Sequence, residues 1–182
     1  KNPTSIIIDN KHHKIRYDMW SILDILKCFN DPELSREEQF IISLEIFYLD
    51  TSEIVNIEEA IKQMNWFINL GDEVKENNKS KSSPKLMDWE QDFGLIADAI
   101  TLKAGRDIRA DGYMHWWTFV GYYMNIGDCY FAQVVSIRKK LSRGKKLDAD
   151  DREFYANNRQ VIDFEAKTTP EEDAILAAWT GG

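Results

Sequence analysis

Hydrophobic positions recur at helical spacing through residues 18–70 and predict three helices there. The first follows Asp18, a residue type favoured at helix N-caps, and the third ends at Leu70-Gly71. The second follows a capping box, in which the side chains of Ser35 and Glu38 each accept the other residue's backbone N–H. Before these helices, residues 4–17 form two β-prone runs on either side of a polar turn, which predicts a short β-hairpin.

Residues 72–85 interrupt the helical pattern. They contain one sizeable apolar side chain, that of Val74, and cannot bury enough surface to offset the entropy of ordering the chain. We therefore predict a flexible linker loop at residues 72–85. It separates an N-terminal half with the hairpin and three helices, residues 1–71, from an aromatic-rich helical half, residues 86–182.

Helical patterns continue in the second half. The clearest runs from Trp89 to Ile100 with apolar residues on one face, and Gly105 follows its end. Residues 111–126 hold so many aromatic side chains that we expect a helix buried on most sides. Three more stretches follow, at residues 130–141, 150–164 and 170–179. The sequence thus predicts a mainly α protein of about seven helices with a short N-terminal β-hairpin.

Composition and charge narrow the function classes. The 182 residues carry a net charge of -8, which argues against a surface adapted to phosphate backbones, so we expect no nucleic-acid partner. No apolar run reaches the roughly 20 residues needed to span a bilayer and no signal-peptide pattern is present, so we expect a soluble protein with no membrane partner. Cys28 and Cys129 lie too far apart in sequence for a clustered metal site and fit a reducing cytoplasm.

One basic cluster surrounds Gly144. We interpret it as a solvated helix end, where cations meet the negative end of the helix dipole, in preference to a nucleic-acid contact. Its members are Arg138, Lys139, Lys140, Arg143, Lys145 and Lys146.

Candidate catalytic chemistry is sparse. His115 follows Asp111 by four residues, a spacing that could orient an imidazole as a general base in a small helical hydrolase or nuclease. No nucleophile signature accompanies the pair, so a buried, hydrogen-bonded histidine is the favoured interpretation. The sequence also lacks the glycine-rich phosphate loops and the zinc-protease and serine-hydrolase motifs, and we predict no catalytic residues and no cofactor.

Two other groups contain residue types that can bind metals, but neither has the arrangement of a metal site. His12 and His13 are adjacent, so in a strand their rings face opposite sides. Asp148, Asp150 and Asp151 resemble the start of a calcium loop, but the required glycine and bidentate glutamate are missing, and we interpret them as helix N-terminal acids. We predict no metal site.

The aromatic side chains of the second half are too numerous to face one small core there. We predict that the exposed members of one set form a contact with another protein or with a second copy of the chain. The alternative is that the N-terminal half covers that face. The set is Trp89, Trp116, Trp117, Tyr122 and Tyr123.

Residues 115–119, His-Trp-Trp-Thr-Phe, carry a family resemblance. They resemble the L-H-W-W-K-F-like motif of tailed-phage proteins that are encoded next to the tape-measure gene and regarded as tail assembly chaperones; Met114 and Thr118 replace the Leu and the Lys. The similarity continues, in order, through looser segments at residues 15–18, 66–71, 92–100, 105–108 and 137–138.

The resemblance implies a non-enzymatic helper in the cytoplasm of an infected bacterial host. Such a protein binds the tape-measure protein, or other phage tail proteins, and keeps it soluble until tail-tube subunits polymerise around it. The exposed aromatic side chains would also allow a homo-oligomer. Two alternatives stay open: a structural tail component retained in the virion, and the hydrolase or nuclease that would use His115 with Asp111.

Overall fold

The computed structural model describes residues 2–72, 84–110 and 112–165, which form a two-stranded hairpin followed by eight helices. This confirms the predicted mainly α class with an N-terminal hairpin. The predicted helix at residues 150–164 is divided at Asn158 into two helices. The predicted helix at residues 170–179, Asp111 and most of the predicted linker lie outside the described residues. The elements are β1 Ser5–Ile8, β2 Lys11–Lys14, α1 Met19–Cys28, α2 Arg36–Phe47, α3 Ile57–Ile68, α4 Phe93–Ala104, α5 Trp116–Met124, α6 Tyr130–Ser142, α7 Ala149–Asn157 and α8 Arg159–Ile162.

The hairpin closes through a two-residue turn at Asp9 and Asn10, whose φ angles are 49° and 63°. Positive φ at both turn positions matches the right-handed twist of paired strands, and Asn and Asp tolerate it best after Gly. Ile6 pairs with His13, and both side chains are buried on the face towards the helices. His12 is exposed on the opposite face, so the two histidines do point apart as the sequence predicts.

Side-chain caps start the N-terminal helices at the predicted residues. Asp18 accepts the backbone N–H of Ser21 at 3.0 Å at the start of α1. Ser35 and Glu38 form the reciprocal capping box of α2, with bonds of 3.3 and 2.9 Å. The hydrogen bonds from the Ser35 side chain and backbone hold the pKa of Glu38 below its usual value. These caps satisfy backbone N–H groups that have no partner within the helix.

Helix α3 ends in a Schellman motif. The N–H of Gly71 donates to the carbonyl of Trp66 at 2.8 Å, and that of Leu70 donates to the carbonyl of Phe67 at 3.2 Å. Leu70 has a φ of 60° and Gly71 a φ of 92°. The predicted stop is thus confirmed, but the left-handed position that usually holds glycine is occupied by a leucine, at a cost of about 1 kcal/mol.

The main core combines both halves of the chain. It contains Met19 and Phe47 from the first half, and Ile96, Ile100 and Phe119 from the second, each fully buried. A smaller cluster joins α6 to α8 and consists of Val134, Ile137 and Ile162. The segments before α1 and α5 are also joined by backbone hydrogen bonds: Met19 N–H to Met114 O and Trp116 N–H to Tyr17 O, both 2.8 Å. The N-cap residues of these two helices therefore lie side by side.

Candidate protein-binding groove

His115 is the N-cap of α5, so the helix predicted over residues 111–126 begins five residues later than expected. Its Nδ1 accepts the backbone N–H of Trp117 at 3.1 Å, and its Nε2 lies 2.9 Å from the carbonyl oxygen of Pro3. Because a carbonyl oxygen only accepts, Nε2 carries the proton and the ring is the neutral tautomer. His115 is 8% exposed, and its ring stacks on that of Tyr17. Both nitrogens thus have structural partners, which leaves neither for a general base.

Two tryptophans that follow His115 attach α5 to the end of α3. The indole N–H of Trp116 donates to the carbonyl of Ile68, and that of Trp117 donates to the carbonyl of Phe67, each at 2.9 Å. Carbonyl groups in the last turn of a helix have no helical partner. The Trp pair therefore caps α3 from outside and aligns the two helices.

A groove opens beside this contact, between the C-terminal ends of α1 and α3, the turn at Trp89 and one face of α5. It encloses about 530 Å³, within the range of about 300–1,000 Å³ that is typical of binding pockets. We call it the α3–α5 groove. Its lining is mainly apolar and comprises Leu26, Ile68, Asn69, Leu70, Asp72, Trp89, Trp116, Val120, Tyr123 and Met124.

The five aromatic residues predicted for binding divide into two groups. Trp89, Trp116 and Tyr123 line the groove. Trp117 instead packs against Trp66 and Phe67 of α3, and Tyr122 lines a separate, shallower pocket beside Thr118 and Lys103. Trp116 is buried, and the other four are half-buried. The N-terminal half therefore covers much of the aromatic face, as the alternative interpretation of the sequence required.

Sequence reasoning missed the other seven groove residues, which are Leu26, Ile68, Asn69, Leu70, Asp72, Val120 and Met124. Met124 forms an exposed rim, with 69% of its surface accessible. Leu70 lines the groove and has a left-handed backbone conformation, whereas the sequence pattern indicated only a helix stop there. A large apolar residue directly before a C-capping glycine is the signal that could have marked this position.

The Trp89 wall of the groove rests on a turn organised by Asp88. The Asp88 carboxylate accepts the backbone N–H groups of Glu90 and Gln91 at 2.8 and 3.1 Å and pairs with Lys85 at 2.6 Å. Burial would raise the pKa of Asp88, but the bonds from Lys85 and the two backbone N–H groups outweigh it and lower the pKa to about 2. The turn is thus held by a carboxylate that stays ionised at neutral pH.

Arg138 corrects the interpretation of the basic cluster. It is 4% exposed and forms a two-pronged ion pair with buried Asp92, at 2.6 and 2.9 Å. Its remaining N–H groups donate to the carbonyls of Leu86, Val161 and Ile162, so all five donors are used. Arg138 follows Val134 by four residues and therefore shares the buried face of α6, which overrides the charge pattern of its neighbours.

The rest of the cluster fits the predicted helix end more closely. Lys140 lies in the last turn of α6 and pairs with Asp151 and Asp148. Asp148 is the N-cap of α7 and accepts the N–H of Asp151 at 2.9 Å, in keeping with its predicted role as a helix N-terminal acid.

Within residues 2–72, 84–110 and 112–165, no group of three or more His, Cys, Asp and Glu side chains is arranged to hold a metal ion. In that same part of the chain, every helix is too short or too polar to cross a membrane.

Comparison with known proteins identifies one family. The family model described as Bacteriophage Gp15 protein matches residues 2–164, which include the whole groove, the His-Trp-Trp-Thr-Phe motif and the Arg138–Asp92 pair. Searches of the curated proteins and of the solved structures returned no match. A phage protein of this family has a structural or morphogenesis role, and the family is not a known enzyme family. The match spans most of the chain, and the protein therefore belongs to the bacteriophage Gp15 family.

Proposed function

We propose that this protein is a tail assembly chaperone, which binds apolar segments of the tape-measure protein in the cytoplasm of the infected host. The observation that carries the proposal is the α3–α5 groove. It offers an apolar channel on the surface of a phage protein whose family resemblance, at residues 115–119, is to chaperones of this kind. This function requires no catalysis. That agrees with His115, because both of its ring nitrogens are engaged in structural hydrogen bonds.

The groove combines rigid and adaptable surfaces. Trp116 is fixed by its bond to Ile68, whereas Met124 is exposed at the rim and has three rotatable bonds in its side chain. Methionine adapts to partners of different shape, and aromatic side chains supply large contact areas. Such a surface can bind successive apolar segments of a long partner with modest sequence specificity, which is what a chaperone of an extended protein requires.

Charge supports the same function. A net charge of -8 keeps copies of the protein apart and keeps a complex with an apolar partner in solution. In the described part of its lining, the groove contains one residue of the charged types Asp, Glu, Lys and Arg, which is Asp72. Apolar contacts would therefore dominate binding, and added salt should weaken it little.

Co-expression with the tape-measure protein of the same phage tests the proposal. Met124→Arg places a charge at the groove rim, and Leu102→Arg is the matched control, because Leu102 is an 85% exposed apolar residue of α4 that does not line the groove. We expect the tape-measure protein to stay soluble and co-purify with the wild type and the control, and to be lost with Met124→Arg. Equal recovery with all three would refute the groove as the binding site. Detection of the protein in purified virions would identify it instead as a structural tail component.

A further inference from the structure

The last described residues contact Gln91, which lies two positions from the groove residue Trp89. The backbone N–H of Glu165 donates to the side chain of Gln91 at 3.2 Å, and the Gln91 amide donates to the carbonyl of Asp163 at 2.8 Å. Gln91 is two residues from Trp89, a groove residue, so their Cα atoms are separated by at most about 7.6 Å. Phe164 is held as well, beneath the guanidinium of Arg138. The chain therefore leaves the described structure close to the groove.

The sequence beyond Glu165 contains an apolar segment. Residues 174–179 read Ala-Ile-Leu-Ala-Ala-Trp, and no other residue of 166–182 has a large apolar side chain. The other segment that borders the groove, residues 73–83 after Asp72, offers only Val74. Of the two, the segment at 174–179 alone has the chemistry to fill a channel lined by Leu, Ile, Val, Met and aromatic side chains.

The connection is long enough. Ile175 lies ten positions after Glu165, and an extended chain of ten residues spans up to about 33 Å. This is close to the diameter of a small domain, about 30 Å. The segment can therefore reach the groove from residues 163 and 165, whose partner Gln91 is two positions from the groove residue Trp89.

From this placement we propose that residues 174–179 of the same chain occupy the α3–α5 groove in the free protein. The apolar lining is then covered until a partner arrives, and any partner that uses the groove must displace the segment. The inference goes beyond the proposed function, because it holds for the free chain whatever protein the groove binds.

Photo-crosslinking of the free, full-length chain tests this occupant. The photoreactive residue p-benzoylphenylalanine is incorporated in place of Trp179, and circular dichroism first verifies that the helical content is unchanged. Irradiation should give a product of monomer mass in which position 179 is joined to a peptide that contains Leu70 or Met124. Adding Met124→Arg should abolish this product, whereas the matched control Leu102→Arg should leave its yield unchanged.

Three outcomes would overturn the proposal. A crosslink confined to products of dimer mass would mean that the segment of a second copy fills the groove. A monomer crosslink to peptides outside the groove, or the absence of any crosslink, would mean that residues 174–179 do not occupy it. Because no partner is present, none of these results depends on whether the protein binds the tape-measure protein.

Discussion

Trp116 lines the α3–α5 groove and donates its indole N–H to the carbonyl oxygen of Ile68 at 2.9 Å. One side chain therefore fixes the end of α3 and forms a wall of the groove. Trp117, its neighbour, makes the corresponding bond to Phe67 on the other side of the contact. The pair joins the two halves of the chain at the point where the groove opens.

Replacing each tryptophan by phenylalanine should show how much each of the two indole hydrogen bonds contributes to stability. Trp116→Phe leaves Ile68 O without its partner and should lower the free energy of unfolding by about 2 kcal/mol. Trp117→Phe should cost less, because Phe67 O keeps its bond from the N–H of Leu70 and Trp117 is only half-buried. Urea denaturation measures both values. A larger loss for Trp117→Phe would contradict this order.

Leu70→Gly should weaken partner binding while leaving the stability of the fold nearly unchanged. Glycine relieves a left-handed backbone strain of about 1 kcal/mol, which offsets the loss of a half-buried side chain, so the melting temperature should change little. The same change removes an apolar wall of the groove and should weaken tape-measure binding by about 1 kcal/mol or more, measured by calorimetry. Unaltered binding by a stable variant would exclude Leu70 from the interface.

Arg138→Met should be among the most destabilising single changes. It leaves Asp92 buried and unpaired, at a cost of about 3 kcal/mol or more. The double variant Arg138→Met with Asp92→Leu should recover part of this loss, because neither charge then remains buried. Lys139→Met, at the exposed neighbouring position on α6, is the control and should change stability by less than about 0.5 kcal/mol. A single variant as stable as this control would refute the buried pair.

Asp88 should make the stability of the folded protein depend on pH in the acidic range. Its pKa is lowered to about 2 in the folded protein from an unfolded value near 3.9, so its contribution is complete above about pH 5 and is lost as the pH falls towards 2. The stability difference between the wild type and Asp88→Asn should therefore be about 2 kcal/mol at pH 7 and shrink between pH 5 and pH 2. Denaturation at several pH values measures it, and a difference that is constant with pH would show that the charge of Asp88 is not responsible.

The elements that could be predicted from the sequence depend on local interactions. The capping box of Ser35 and Glu38, the turn at Asp9-Asn10 and the stop at Gly71 each act within a few residues, so the pattern contains them. Arg138 was assigned to the wrong environment because its charged neighbours suggested solvent, whereas its environment is set by Asp92, 46 positions away. The groove was only partly anticipated for the same reason: its walls come from α1, α3, α5 and the Trp89 turn, and their meeting depends on tertiary packing.

Hydrogen exchange of the protein alone and in its co-purified complex with the tape-measure protein tests the central claim most directly. The groove hypothesis predicts slower amide exchange in the complex at residues 67–72 and 119–124, with no change at the exposed end of α4 around Leu102. Protection confined to other parts of the chain would place the partner elsewhere. Failure to form any complex would contradict the chaperone function itself.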